Sequence, residues 1–395
     1  VVIGAGPAGA TTALFAARAG LDVLLIDKRR FPRDKICGDA IARKSLGVLG
    51  ELGLDFGAAV REPVSRAVLS SPAGHRIEVD LSTRDEPAPH LVCRREIFDD
   101  IILRAAREQA EVWENTSVVD IIRDGSKVRG VICRRDGGDR EVTAQMVVGA
   151  DGFDSIIARR LGFYKHDPRW YVATRGYYRG LDVAPQTVEV HFTNETLPGF
   201  LWIFPTGDGI ANVGIGLVHR DIKKRHVRLR DVHEAVLNLP RFRERFARTE
   251  RIGSVHGWNL PTPDFSRTLC GDGFMLAGDA AGLVDPFSGE GIGNAVVSGK
   301  LAAEVAGEVV RGGSAASYTA RLRQVIDGSE ISLHYRLRDL ARHARLIDVL
   351  VGRAAAHPEV LSWIRGMTAA HDTVATKRAL LSPLTYARLW LRKKN

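Results

Sequence analysis

Three glycines at the spacing G-x-G-x-x-G, Gly4, Gly6 and Gly9, follow the apolar residues VVI, and the next apolar run, LDVLLID, closes on an acid, Asp27. Together these residues can hold a dinucleotide. Gly4 permits a tight turn, Gly6 lets backbone amides approach a pyrophosphate, and Gly9 allows a helix to lie close on a strand. The helix that this loop opens turns its positive end toward the phosphates. Asp27 can accept hydrogen bonds from ribose hydroxyls and would repel a 2′-phosphate, so NADP is disfavoured in this site.

A second stretch, RDKICGDAI (33–41), sets Cys37 beside Gly38 in a charged loop. Its chemistry has three readings: a redox thiol, a metal ligand, or a small residue that lets the backbone approach a ligand. Cys37, Cys93, Cys133 and Cys270 are widely spread with no Cys-x-x-Cys pair, which argues against a zinc site and against a disulfide framework. A reducing, cytoplasmic setting fits that usage. Cys37 also lacks a basic residue that the sequence would place against it, so a thiol there would be a sluggish acid.

The elements that position these residues follow from pattern. The 395 residues exceed one ordinary core, and 45% hydrophobic with 26% charged residues fits a globular chain rather than a disordered one. The longest charge-free run, residues 1–17, is too short and too glycine-rich to span a bilayer. The chain opens in mid-strand without Met, which reads as a few residues lost rather than as a removed signal peptide. A net charge of +9 favours anionic partners, phosphates or a membrane surface, and no nucleic-acid motif accompanies it.

Residues 1–27 read strand, glycine turn, helix, strand, one βαβ unit. A helix is expected over FDDIILRAAREQA (98–110), and antiparallel strands over 111–138, around Asp-Gly and Gly-Gly turns. Residues 170–260 alternate as strands with a charged helical insert near 221–248. GFMLAGDAAGLV then returns to a buried strand and glycine turn, and residues 314–395 read almost wholly helical.

Two later glycine–acid pairs extend the glycine signature. GADGFDS places Asp151-Gly152 after the strand QMVV, and LAGDAAGLVDPFSGEGIGNA places Gly278-Asp279 after another. With GAGPAG these resemble the FAD-dependent monooxygenase and reductase superfamily that shares the p-hydroxybenzoate hydroxylase fold, from the first residue to about residue 310. The fold implied is α/β: a discontinuous FAD-binding Rossmann-like domain (1–60, 88–165 and 265–313), an inserted antiparallel β-sheet substrate domain (61–87 and 166–264) and a helical C-terminal region (314–395).

The resemblance implies FAD as cofactor. It puts Asp279 on the ribitol chain, and Gly291-Ile292 at the start of a helix aimed at the flavin pyrimidine edge. Such a helix end stabilises the charge that appears there on reduction. It carries Arg95 of R-x-x-F-D over as a phosphate or ribose contact, against the alternative of a surface ion pair. Val119 becomes a backbone contact to adenine, and Ala8, Cys37, Gly38 and Ala40 are set at the cofactor.

K-x-C-G at 35–38, LPGFLWIFP at 197–205 and DPFSGEG at 285–291 are similar to the geranylgeranyl reductase family, FAD enzymes that hydrogenate polyprenyl chains. The family's P-x-x-Y-x-W-x-F-P appears with Leu197 for Pro and Phe200 for Tyr. On a strand, Phe200, Trp202 and Phe204 share one face by period two, so with Pro205 they are expected to bind an isoprenoid chain; core packing is the alternative. The resemblance implies a polyprenyl lipid, prenyl diphosphate or prenylquinone as substrate, saturated by hydride from flavin N5. The external reductant would be NAD(P)H, reduced ferredoxin or a reduced quinone. Cys37 is the one candidate catalytic residue, and no metal is expected.

Two other classes stay open. One is a flavin monooxygenase or halogenase acting on an aromatic metabolite, although FLWIFP keeps only the second Trp of the halogenase W-x-W-x-I-P. The other is a non-catalytic electron carrier. Finally, residues 377–395 hold six Lys or Arg and no acid, with Leu384, Ala387 and Leu391 at helical spacing, so peripheral contact with an anionic membrane is a further expectation, weighed equally against a solvated terminal helix.

Overall fold

The computed structural model describes the chain except residues 58–62, 83–89, 165–166, 168, 327–330, 369–373 and 392–395. The basic residues 392–394 named above therefore lie outside the described residues.

The opening apolar residues form β1 (Val2–Ile3), followed by α1 (Pro7–Arg18) and β2 (Leu24–Ile26). Pro7 sits in the first turn of α1, where its missing N–H costs no helix bond. β1 lies between β2, with Val2 opposite Leu25, and β12 (Val147–Gly149), with Val2 opposite Val148. β8 (Glu111–Trp113) extends one side and β19 (Phe274–Leu276), then β18 (Cys270–Gly271), the other. The order is β18-β19-β12-β1-β2-β8, all parallel except the β18–β19 pair.

α3 (Arg95–Arg107) and α8 (Ile292–Val310) pack against α1. α3 begins three residues before the expected helix. The α1–α8 contact is close because of Gly299, where a Cβ would stand 2.3 Å from the Ala8 carbonyl oxygen. Thr12 Oγ1 donates to the carbonyls of Ala8 (2.8 Å) and Gly299 (3.0 Å), tying the two helices where they cross.

A three-stranded antiparallel sheet, β9 (Ser117–Asp124), β10 (Lys127–Arg135) and β11 (Gly138–Thr143), follows β8. Its second hairpin turns on Asp136-Gly137, both with positive φ as a type I′ turn needs. A second three-stranded sheet joins β3 (Ala40–Ile41), β7 (His90–Val92) and β4 (Pro63–Val64). Short helices α2 (Arg43–Gly50) and α4 (Ile156–Arg160) follow the Cys37 loop and the Asp151 turn.

The large sheet has seven strands. They are β5 (Arg66–Ser70), β6 (Arg76–Asp80), β13 (Tyr171–Arg179), β14 (Thr187–His191), β15 (Leu201–Gly207), β16 (Ile210–Val218) and β17 (Glu250–Leu260), in the order β17-β13-β16-β15-β14-β5-β6. All pairs are antiparallel except β5–β14. Its outer face buries Leu201, Ile203, Val213 and Ile215 with Val236 and Phe242 of α6 (Leu229–Leu237) and α7 (Pro240–Ala247), which follow α5 (His219–Arg225). The charged insert is thus three short helices whose apolar stripes cover a sheet.

The C-terminal elements are α9 (Tyr318–Val325), α10 (Ile331–Leu340), α11 (Ala344–Ala354), α12 (Pro358–Thr368), α13 (Val374–Leu381) and α14 (Pro383–Leu391). Leu350, Val351 and Ile364 of α11 and α12 form one core with Ile77 and Val79 of β6. No helix among the described residues is long and apolar enough to cross a membrane.

Candidate active site

One cavity of about 810 Å³ runs from the glycine loop, past the Cys37 loop, along the inner face of the large sheet to α11 and α12. At its first end the three glycines have separate roles. Gly4 has φ +93°, and a Cβ there would lie 2.4 Å from the Ala150 oxygen; one on Gly9 would lie 1.7 Å from the Gly4 oxygen. Both positions are closed by the protein itself. A Cβ on Gly6 would meet only Arg33 Nη2, at 3.7 Å, so the space over Gly6 faces the cavity. Asp27 Oδ2 accepts from the Ala5 amide and Oδ1 from the Arg29 amide, each at 2.7 Å, which fixes the acid beside the loop.

Arg95 is buried and lines the cavity. Its Nε and Nη2 donate to the two oxygens of Asp99 at 2.6 and 2.7 Å, and Arg33 Nη1 lies 2.8 Å from the same carboxylate. Burial opposes ionisation of Asp99, but Arg95 and Arg33 hold its carboxyl below its ordinary value. One buried acid thus holds two guanidiniums against the glycine loop. Arg33 carried no signal in the sequence beyond its place in RDKICG.

The Cys37 side chain lies within electrostatic reach of the Arg95 guanidinium. The expectation that Cys37 lacks a basic neighbour is corrected: its neighbour comes from α3, 58 residues along the chain. Lys35 Nζ lies 4.2 Å from the Trp258 ring centroid and donates to the Ile36 carbonyl at 3.2 Å. Burial lowers its pKa to about 8, against the opposing charge of Asp279. Asp279 lines the cavity, and burial raises its carboxyl above the ordinary value. Asp151 is raised by burial as well; its Oδ2 accepts from the Ile156 amide at 2.7 Å while Oδ1 is buried without a partner.

Gly291 and Ile292 line the cavity at the N-terminus of α8. Glu290 Oε1 accepts from the Gly293 amide at 2.5 Å, and Lys44 Nζ stands 2.9 Å from Glu290 Oε2. Behind this turn Asp285 Oδ1 accepts from the Ser288 amide and hydroxyl, and Oδ2 meets His334 of α10. Burial opposes it, but His334 and Ser288 bring the Asp285 carboxyl down to about 2.

Phe200, Trp202 and Phe204 do share one face, and all three line the cavity. Successive ring centroids are 6.4 Å apart. The strip lies on Gly38, where a Cβ would meet Trp202 Nε1 and Phe204 Cε2 at 3.4 Å. Asn212 of β16 locks this contact. It accepts from Trp202 Nε1 (2.9 Å) and donates to the Cys37 carbonyl and to Asp39 Oδ2 (2.7 Å each). Tyr177 OH donates to the same Asp39 oxygen at 2.7 Å. Asp39 is fully buried with φ 65°, and burial raises its pKa to about 6 despite these bonds.

Two expected contacts fall outside the cavity lining. The Val119 carbonyl accepts from Arg160 Nη2 at 3.0 Å, and Ser117 and Val118 line the cavity in its place. Pro205 follows the strand alternation to the opposite face with Ile203. Gly9 is likewise a packing glycine, as its spacing implied, whereas Ala8 and Ala40 line the cavity. No cluster of metal-ligating side chains occurs among the described residues, and all four cysteines are free.

The FAD binding domain family matches residues 1–325. A menaquinone reductase of Mycobacterium tuberculosis is 34% identical over 314 residues, covering 77% of this chain and 75% of that protein. A digeranylgeranylglycerophospholipid reductase of Methanoculleus marisnigri is 31% identical over 350 residues, 86% of this chain and 85% of that one. The crystal structure of a geranylgeranyl bacteriochlorophyll reductase-like protein from Thermoplasma acidophilum superposes with a TM-score of 0.76 at 26% identity, covering 93% and 98% of the two chains. The chain belongs to the geranylgeranyl reductase family. It is an FAD-dependent reductase. A flavin-dependent brominase, at TM-score 0.77 and 24% identity, shares the fold. The residues present fit FAD: an open approach over Gly6, paired arginines beside it, and half-buried acids at Asp151 and Asp279 lining the cavity.

Proposed function

We propose that this reductase saturates C=C double bonds of a polyprenyl chain carried by a lipid, a prenyl diphosphate or a prenylquinone. The observation that carries this reading is the continuity of the cavity: the dinucleotide end and the apolar lane over Phe200, Trp202 and Phe204 meet across Gly38 with no wall between them. Leu69 of β5, Val188 and Val190 of β14, Leu350 and Val351 of α11 and Ile364 of α12 prolong the lane, which suits a branched hydrocarbon and nothing charged. The relatives named for prenyl lipid and menaquinone reduction support the same class.

Bound FAD would supply hydride at its reduced N5. Gly4, Gly6, Ala8, Asp27, Arg33 and Arg95 would hold the dinucleotide, Asp279 the ribitol, and the α8 terminus at Gly291-Ile292 the pyrimidine edge. Cys37, Gly38 and Ala40 would border the ring, Cys37 holding its thiol against Arg95. The aromatic strip orients the chain and excludes water, which an unactivated alkene requires. An external donor, NAD(P)H, reduced ferredoxin or a reduced quinone, would restore the flavin. The polypeptide divides, on this reading, into the three-segment FAD unit, the two-segment substrate unit and the helical region delimited above.

The test is anaerobic incubation of dithionite-reduced enzyme with geranylgeranyl diphosphate, a geranylgeranylated glycerophospholipid and menaquinone, followed by mass spectrometry. A product heavier by two hydrogens per saturated bond is expected from at least one. Stoichiometric oxygen consumption with an oxygenated product, and no anaerobic product, would replace the reading with a monooxygenase.

A further inference from the structure

The surface charge of the chain is not spread evenly. Around the large sheet several exposed arginines stand beside an acid, Arg179 with Glu250, Arg228 with Asp231 and Arg251 with Glu234. Residues 219–230, HRDIKKRHVRLR, depart from that balance: they hold six Lys or Arg and one acid, Asp221, a net +5 where the whole chain carries +9. Asp221 does not offset the cations at the surface. It is 7% exposed, and both its oxygens accept from Nη1 of Arg342, in the α10–α11 connection, at 2.8 and 2.9 Å. Lys223, Lys224 and Arg230 are exposed and make no ion pair among the described residues. Ile222 and Leu229 pack on the outer-face core, so the segment is anchored by its apolar residues and turns its charges to solvent.

This patch is fastened to the wall of the lane. Arg225 Nη1 donates to the Glu195 carbonyl at 2.6 Å and Nη2 to the Leu197 carbonyl at 2.8 Å, and Arg241 of α7 donates to the Phe192 carbonyl at 2.8 Å. All three carbonyls belong to the β14–β15 turn, whose Phe192, Pro198, Gly199 and Phe200 line the cavity. Phe192 and Phe200 are half-buried and meet edge to face, with centroids 6.1 Å apart. An uncompensated cationic surface and an aromatic turn of the lane are thus one piece of structure. Resting on the reading given under Proposed function, we propose that α5 and the start of α6, through Lys223, Lys224 and Arg230, seat the protein on an anionic lipid bilayer, with the β14–β15 turn beside the surface. Cations next to half-buried aromatic rings suit the headgroup layer, where anionic lipids attract each Lys or Arg. The apolar lane behind the turn favours a bilayer over an acidic protein, because a polyprenyl chain gains about 0.8 kcal/mol per buried CH₂ and so resides in the membrane. Membrane contact then belongs to a folded surface beside the lane rather than to the basic residues 392–394.

The test compares wild-type holoenzyme with two triple variants, one carrying Lys223→Gln, Lys224→Gln and Arg230→Gln, the other Arg392→Gln, Lys393→Gln and Lys394→Gln. Exposed substitutions of this kind should leave Tm within about 2 °C of wild type. Each protein is sedimented with vesicles of phosphatidylcholine alone and of equal parts phosphatidylcholine and phosphatidylglycerol. The wild type is expected on the anionic vesicles and not on the neutral ones. It should leave them when salt rises from about 0.1 to about 1 M, which shortens the screening length from about 10 to about 3 Å. The α5 variant should bind at least about tenfold more weakly, since each cation at such a surface is worth about a factor of five, whereas the C-terminal variant should stay within about twofold. A wild type that does not bind the anionic vesicles overturns the proposal and leaves the patch to an acidic protein. Equal binding to both kinds of vesicle, undiminished binding by the α5 variant, or a loss confined to the C-terminal variant overturns it as well. No arm needs turnover, so each of these failures leaves the reductase reading standing. Absence of product from all three substrates named under Proposed function overturns that reading, whatever the vesicles show.

Discussion

Asn212 joins the aromatic strip to the Cys37 loop, and truncating it to Ala removes a hydrogen bond from three groups at once: the buried Trp202 Nε1 and Asp39 Oδ2 and the part-buried Cys37 carbonyl. Asn212 is fully buried, so water cannot replace the lost amide. Asp39 keeps the Tyr177 hydroxyl, which leaves two groups stranded at about 1–3 kcal/mol each, so a loss of about 2–6 kcal/mol is expected. For 395 residues the unfolding entropy is about 0.8 kcal/mol/K, from about 2.1 cal/mol/K per residue, which converts that loss into a Tm lower by about 2–7 °C. FAD affinity should fall with it, because the Cys37-Gly38 backbone loses its anchor. Thermal unfolding by circular dichroism and FAD titration of Asn212→Ala measure both. Adding Trp202→Phe completes a double-mutant cycle whose coupling should be about 1 kcal/mol, the worth of one hydrogen bond. A Tm within about 1 °C of wild type, together with an unchanged FAD Kd, would refute the claim that this amide fastens the two surfaces.

Gly6→Ala should fold with wild-type stability and bind FAD at least about tenfold more weakly, since its Cβ intrudes only on the cavity, whereas Gly9→Ala should fail to fold normally; circular dichroism and flavin content separate the two. Asp39 holds its proton more tightly folded, at about 6, than unfolded, near 4. Its contribution to stability is therefore complete below about pH 4 and lost as pH rises through 6, on the order of 3 kcal/mol in all. Asp39→Asn, which tolerates the same positive φ, should flatten that part of the wild-type profile, and Tm measured from pH 4 to 7.5 would expose an unchanged slope as a contradiction. Cys37→Ser keeps a small polar side chain beside Arg95 and is expected to retain FAD with turnover reduced less than about tenfold; a hundredfold loss with full flavin content would make the thiol catalytic.

The dinucleotide half was legible because its chemistry is local. Glycine spacing, the terminal acid at Asp27 and the helix after Gly291 are each written in consecutive residues. The aromatic strip was legible for a similar reason, since period two put Phe200, Trp202 and Phe204 on one side. The same period, applied one residue further, would have put Pro205 on the other. What stayed hidden comes from pairings over long separations: Arg95 against Cys37, Asn212 against Asp39, Lys35 on Trp258. The charged and amide members of these pairs, Arg95, Asp39, Asn212 and Lys35, are types usually found at the surface, and only the fold brings them to their partners.

The pairing Val2–Val148 also has a meaning for how the chain is made. β1 leaves the ribosome long before one of its two neighbours: that edge waits for a partner 146 residues later, and the partner in turn waits for Met275 opposite Val148. At about 5–20 residues per second the first wait is about 7–30 s, during which a short apolar strand and the bare face of α1 are open to other chains. The glycine loop precedes almost everything that stabilises it in the order of synthesis. Flavin loading is therefore an event of the finished polypeptide, after α8 has closed on α1, and a nascent chain arrested before residue 292 should emerge colourless however much FAD surrounds it.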